Sequence, residues 1–179
     1  MIDELLVKKA VNGDAAAFLK LSKQYQQPLY RTAMGMLGNE HDAADAVQDA
    51  FLKAYRDIGK LRDPRQFRSW LYRILINRCI DILRQRRRTT PVERVWLSDP
   101  VENNIESRVD ISQAVAELDE QHRAVVVLRF FQDMKIDDIA LVLNCPVGTV
   151  KSRLYRALKK LKLLLTKDSG LGGEPVDLC

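Results

Sequence analysis

The sequence predicts an all-α protein of two small helical domains joined by a flexible linker. Three observations carry that expectation. Apolar residues recur at spacings of three and four along most of the chain. No pair of strand-like runs is present, and Leu, Ala, Arg, Lys and Asp dominate the composition. The periodicity fails over one long internal stretch, 89–110, where Pro91 and Pro100 stand among small polar and acidic residues. At 179 residues there is room for one ordinary domain or two small ones, and an apolar fraction of 46% with 30% charged residues is that of a folded chain.

The elements follow in order. Leu5, Leu6, Val7, Ala10 and Val11 open a short helix that stops at Asn12-Gly13. Asp14 can cap a second helix, whose apolar series is Phe18, Leu21, Tyr25, Leu29, Ala33, Met36 and Leu37, ended by Gly38-Asn39. A third helix is expected from about Asp42 to Asp57, burying Ala43, Val47, Ala50, Phe51 and Ala54. Residues 58–63 read as a loop, and Asp63-Pro64 as a cap followed by a first-turn proline. The fourth helix then runs to about Arg87 on Phe67, Trp70, Leu71, Ile74, Leu75, Ile80 and Leu83.

Helices resume at about Ile111–Leu118 and again from an Asp119 cap to Phe131. Ile136–Leu143, a turn at Asn144-Cys145-Pro146 and a helix from Val147 to about Leu165 complete the series. The boundaries expected are therefore 1–88, a linker 89–110, 111–167, and a disordered tail 168–179. Trp96 lies in the linker, either as a packing anchor or as a contact.

Several classes are excluded. No window approaches the 18 apolar residues of a membrane span, and Met1-Ile2-Asp3-Glu4 lacks a basic secretory region. Cys79, Cys145 and Cys179 are far apart and form no CxxC, so neither a disulfide framework nor a zinc site is suggested. No nucleotide-binding loop, metal cluster or catalytic triad is visible, which argues against an enzyme and against a cofactor. The expectation is a soluble cytoplasmic protein.

The net charge of +5 is unevenly placed. Residues 1–88 hold 17 Lys/Arg against 10 Asp/Glu, a balance of +7, and residues 89–110 hold 2 against 5, or −3. Residues 58–88 carry ten Lys/Arg against two Asp, and residues 147–167 carry seven Lys/Arg and no acid. Two basic stretches flanking an acidic connector suit a chain that touches nucleic acid in two places, or two solvated helix faces.

Three motifs sharpen this. The stretch 135–161 joins a short helix, a tight turn and a basic helix, the pattern of a helix-turn-helix. With Val150, Leu154, Leu158 and Leu161 inward, Thr149, Ser152, Tyr155, Arg156 and Lys159 share the outer face, edged by Lys151 and Arg153. Such side chains can read base edges in the major groove. In 42–55, Asp42, Asp45 and Asp49 at i, i+3 and i+7 form an acidic stripe beside Gln48. It suits a basic protein partner, or stands as a solvated face. In 67–88, aromatics interleave with arginines, as for single-stranded nucleic acid. The other reading makes Phe67, Trp70 and Tyr72 core; Phe67 is expected to be so, and Trp70 can be core on one edge and exposed on the other.

Asp45-Ala-Val-Gln48-Asp49-Ala-Phe51, Phe67-Arg-Ser-Trp70-Leu-Tyr-Arg-Ile74 and Cys145-Pro-Val-Gly-Thr-Val-Lys-Ser-Arg-Leu-Tyr-Arg156 stand in the order found in bacterial sigma factors. The chain resembles the compact extracytoplasmic-function (ECF) class, over about residues 3–165. The resemblance implies a region 2 four-helix domain and a region 4 helix-turn-helix domain. It implies core RNA polymerase and promoter DNA as partners, and commonly an anti-sigma factor.

It also implies roles. Asp45, Gln48 and Asp49 fall on the polymerase-binding positions. The loop 59–64 resembles the segment that captures a flipped minus-10 base, with Leu61 at a pocket position and Arg62 beside it. Lys53, Trp70, Arg73 and Asn77 match positions that hold the melted strand. Thr149, Lys151, Ser152, Arg153, Tyr155, Arg156 and Lys159 form the minus-35 set. The linker would thread toward the polymerase active centre. An ordinary helix-turn-helix regulator acting on duplex DNA alone remains the alternative, as does an interaction protein that uses the motif only for docking.

Overall fold

The structure, a computed structural model, describes residues 4–89 and 105–168. Every regular element among them is helical. The N-terminal half is built from α1 (Glu4–Val11), α2 (Ala15–Leu37), α3 (Glu40–Asp57) and α4 (Phe67–Thr89). The C-terminal half is built from α5 (Ile105–Ala116), α6 (Glu120–Val126), α7 (Ile136–Leu143) and α8 (Val147–Asp168).

The breaks between helices are set by the residues expected to set them. Asp14 Oδ1 accepts from the Ala17 amide at 3.0 Å, and Asp119 Oδ1 accepts from the Gln121 and His122 amides at 3.2 and 3.1 Å. Each such cap contributes about 1 kcal/mol. Gly38 ends α2 at φ +73°, where a β-carbon would be strained, and its amide bonds the Met34 carbonyl at 2.9 Å. Asn39, read from sequence as part of that stop, has a second use. Its Oδ1 accepts from the Asp42 amide at 2.8 Å, so α3 opens at Glu40 and not at Asp42.

Other boundaries move as well. Residues 58–63 are not wholly loop, because Ile58–Lys60 winds into a 3₁₀ turn that carries Leu61 inward. The Asp63 cap holds, with the Arg65 amide at 3.0 Å, but Pro64–Gln66 is 3₁₀ and the α-helix begins at Phe67. α4 runs through Thr89 and α5 opens at Ile105, so the break expected over 89–110 is helical at both ends. The rest of it, with Trp96, and the tail from 169 lie outside the described residues. Pro28 sits inside α2 without ending it.

The core joins both halves. Phe18, Leu21, Leu29, Met36, Phe67, Leu71 and Leu75 are buried on one side, and Val125, Leu128, Met134, Ile139 and Val150 on the other. α4 packs on α7, and α2 on the π-helical turn Val127–Phe131 that continues α6. The wider turn brings Val127 against Gly35. A β-carbon built at Gly35 would lie 3.2 and 3.3 Å from the two Val127 γ-carbons. Arg123, only 8% exposed, spans the seam. Its Nη1 donates to the Met36 carbonyl at 2.6 Å, and its Nη2 to those of Leu118, at 3.0 Å, and Ala116. Burial lowers its pKa to about 10, which still leaves it charged at neutral pH to hold these helix-end carbonyls.

Candidate nucleic-acid and protein interfaces

The helix-turn-helix is built from α7, a left-handed Asn144 at φ 49°, and α8. The Asn144 and Cys145 amides both reach the Ala140 carbonyl, and the Pro146 carbonyl receives the Thr149 and Val150 amides at 2.9 and 3.2 Å. This tight turn lays α7 against α8. Ala140 is small and buried there.

The inward stripe of α8 differs by one residue from expectation. Val150 is buried and Leu154 and Leu161 are half-buried, but Leu158 is 42% exposed. Ala157 takes its place at 0%, because the neighbouring helices come close enough to leave room only for a methyl group. On the outer face, Lys151, Ser152, Tyr155, Arg156 and Lys159 are exposed, and Thr149 is half-buried. None of the three cations there forms an ion pair among the described residues. Arg153 is half-buried and drawn back toward the turn, its Nη1 3.9 Å from Cys145 Sγ.

The acidic stripe lies on α3. Asp45, Gln48 and Asp49 are exposed. Their surroundings differ: Asp45 faces His41 at 3.2 Å, while Asp49 accepts from Arg78 Nε at 2.8 Å. Asp42 is half-buried and paired with Arg86. The stripe is thus a ladder between α3 and α4, with its charge most open at Asp45 and the neutral amide of Gln48 exposed beside it.

The third surface is α4 with the preceding turn. Trp70 is half-buried, its ring 6.0 Å from that of buried Phe67. Arg62, Lys53 and Asn77 are exposed, with Lys53 3.9 Å from Asp57. Two expectations change here. Leu61 is 9% exposed and packs into the core, so it offers no open apolar pocket wall to an extruded base. Arg73 Nε donates to the Leu141 carbonyl of α7 at 3.0 Å, so its guanidinium faces the C-terminal half. Tyr72 is core, at 1% exposure, and burial pushes its phenol up to about 12.

The dense arginines of α4 serve partly inside the molecule. Arg78 and Arg86 pair with Asp49 and Asp42, and Arg84 and Arg87 pair with Glu120 at 3.3 and 3.0 Å. Burial pushes the Glu120 carboxyl up, but its own amide and the two guanidinium groups outweigh that and hold it below the usual range. Sequence reasoning missed Arg123, Gln132 and Glu120. Each acts on residues tens of positions away, and no local pattern announces them.

Among the described residues no cluster of His, Cys, Asp or Glu could hold a metal ion, and no helix is long and apolar enough to cross a membrane. The family model for Sigma-70 region 2 matches residues 21–89, and that for Sigma-70, region 4 matches residues 108–161. The chain is 35% identical over 147 residues to RNA polymerase sigma factor SigV of Bacillus subtilis, covering 80% of this chain and 88% of that protein. It is 36% identical over 165 residues to ECF RNA polymerase sigma factor SigM of Mycobacterium tuberculosis, covering 91% and 84%. Two solved structures are similar over most of their length. CnrH in complex with the cytosolic domain of CnrY superposes with a TM-score of 0.74 at 30% identity, covering 94% of this chain and 99% of that one. The sigma factor RpoE of Bartonella quintana, in complex with the anti-sigma factor NepR, gives 0.67 at 25% identity, covering 83% and 98%.

Proposed function

Since the chain belongs to the ECF class of bacterial sigma factors, we propose that it binds core RNA polymerase and directs it to promoters, where it assists strand opening. The observation that carries this reading is the presence, in one chain, of an exposed basic helix-turn-helix face and a separate acidic face on α3. A regulator acting on duplex DNA alone uses the first and leaves the second idle. Residues 1–88 serve as the polymerase-binding and minus-10 domain, and 111–167 as the minus-35 domain. Polymerisation chemistry stays with the partner, and the work is done in the cytoplasm, where polymerase and promoters are.

The assignments follow the surfaces. Asp45, Gln48 and Asp49 meet a basic element of polymerase, where opposite charge speeds encounter and fixes register. Lys151, Ser152, Tyr155, Arg156 and Lys159 enter the major groove, with Thr149 at the helix start and Arg153 holding the turn. Lys53, Arg62, Trp70, Arg73 and Asn77 line the path of the melted strand, combining cations for phosphates with an aromatic edge and an amide. Leu61 supports that path from beneath. An anti-sigma factor is a fitting partner, since both solved relatives were captured with a bound protein.

Transcription in vitro with core polymerase and a randomised promoter library tests the reading. A discrete promoter class, used only when both proteins are present, is expected. Tight duplex binding without polymerase, and no promoter use with it, would overturn it in favour of the duplex-only regulator.

A further inference from the structure

Residues 58–88 carry ten Lys/Arg and only two acids, Asp63 and Asp81. Asp63 has a structural use, since its carboxylate caps the turn that leads into α4 and holds the Arg65 side chain. Asp81 has no such use. It stands well inside α4, away from the first turn, where the helix dipole favours an acid. Asp is also among the weaker helix formers. Its side chain is exposed, and no ion pair reaches it among the described residues. The arginines three residues to either side are engaged elsewhere, Arg78 on Asp49 and Arg84 on Glu120. An unshielded carboxylate therefore stands on a basic helix.

The helix sets where that carboxylate points. At about 100° per residue, Trp70, Asn77 and Asp81 fall within about 20° of one line along α4. Asn77 and Asp81 are about 6 Å apart along the axis, and Trp70 lies about 10 Å before Asn77. Stacked bases follow one another at about 3.4 Å, so a base beside Asn77 has a near neighbour within reach of Asp81. This face carries the proposed path of the melted strand, and a role for Asp81 in promoter choice rests on that reading. A phosphate does not suit a carboxylate, because like charges repel. A base edge does. We propose that Asp81 is a specificity-determining residue, which accepts a hydrogen bond from the amino group of one minus-10 base and rejects thymine at that position.

The chemistry of the bases supplies the selectivity. Cytosine and adenine each present an exocyclic amino group, and guanine presents one beside its ring N–H. Each offers a donor to a carboxylate, and hydrogen bonds to an ionised acceptor are the stronger kind. Thymine presents a single ring N–H between two carbonyl oxygens, and those oxygens repel a carboxylate. The neighbouring Asn77 amide both donates and accepts, so it tolerates either type of edge. Discrimination on this face then falls to Asp81, which attracts the amino-bearing bases and repels the remaining one.

Transcription with core polymerase, from templates randomised across a pre-melted minus-10 bubble, tests this without the opening step. For the wild type, thymine is expected to be depleted about tenfold at one position relative to the amino-bearing bases. Asp81→Leu should abolish that depletion and leave the other positions unchanged. Asp81→Asn, of the same shape, should admit thymine, because its amide NH2 donates to a thymine carbonyl. Replacing cytosine at that position by a pyrimidinone without the amino group should reduce transcription by the wild type and not by Asp81→Leu. An unchanged base profile in both variants overturns the proposal. So does a gain on every template alike, which would make Asp81 a phosphate-repelling residue only. If the wild type uses no promoter at all, the sigma-factor reading fails instead. Binding of the chain alone to fluorescent oligocytidylate and oligothymidylate then decides the role of Asp81. A wild-type preference for oligocytidylate that disappears in Asp81→Leu supports it, and the same ratio in both proteins overturns it.

Discussion

The Tyr72 hydroxyl donates a 2.7 Å hydrogen bond to Gln132 Oε1, sixty positions along the chain. The phenol is buried and its pKa is raised to about 12, so it remains a proton donor throughout the physiological range. The Gln132 amide passes the contact on to the Pro28 carbonyl of α2. One glutamine thus ties α4 and α2 to the loop after α6. Tyr72→Phe leaves Oε1 without its donor and is expected to lower stability by about 1–2 kcal/mol. Gln132→Ala should cost a similar amount, and the double variant less than the sum, because both remove the same bond. A double-mutant cycle from urea midpoints measures that coupling, and strict additivity would show the bond to be energetically idle.

The acidic ladder should govern polymerase affinity. Asp45→Arg places a cation at a position 57% exposed, where it meets no core residue. Asp49→Arg also breaks the pair with Arg78, but a pair this exposed contributes at most about 1 kcal/mol to stability. The double variant is therefore expected to remain folded and to lose core affinity. Titration against labelled core polymerase reads this. Unchanged affinity would remove α3 from the polymerase interface.

Arg156 and Arg153 should separate, although both sit on one basic helix. Arg156 is exposed on the outer face, so Arg156→Ala is expected to cost about 1–3 kcal/mol on the preferred minus-35 sequence and less on others. Arg153 leans toward Cys145 at the turn. Arg153→Ala should weaken binding by a smaller factor, and equally for every sequence. Competition binding on a minus-35 panel distinguishes these outcomes. Equal sequence dependence for the two would mean that Arg153 leaves the turn on binding DNA.

The local parts of this structure were legible in the sequence because local chemistry sets them. Asp14, Asp63 and Asp119 cap where a side-chain carboxylate can reach an amide two or three residues on, and Gly38 stops α2 by its positive φ. Two limits were physical. Periodicity of 3.6 leaves adjacent residues within about 100° of each other, so it could not decide between Ala157 and Leu158 for the inner face. How near the neighbouring helices come settles that. Nor does any local pattern tell which arginines are used internally. Arg78 and Arg86 look like backbone-binding cations until α3 is folded alongside them.

The same limit bears on the minus-10 surface, where the resemblance implied Leu61 at a base-pocket position and Asn77 among the positions that hold the melted strand. A protein can read the face of a minus-10 base only after unstacking it, and extrusion costs a few kcal/mol that new contacts must offset. Leu61 is 9% exposed within the core, so Leu61→Ala removes buried methyl groups, and a cost of about 2–5 kcal/mol in stability would confuse any promoter assay. Asn77 is the cleaner probe. It lies on the same helix as Trp70, seven residues on and so two turns further along. Its side chain is exposed, and its amide can both donate to and accept from a base edge. Asn77→Ala is expected to leave the urea midpoint, core affinity and minus-35 recognition within error. If the amide helps to open the duplex, the variant should lose more on double-stranded promoters than on templates carrying a pre-melted minus-10 bubble. If it reads an exposed base, preference should change on both templates alike. Permanganate reactivity of unpaired thymines follows the opening step directly. A variant that opens and discriminates as the wild type does would place Asn77 outside the path of the strand, and leave Trp70, Arg62 and Lys53 to carry it.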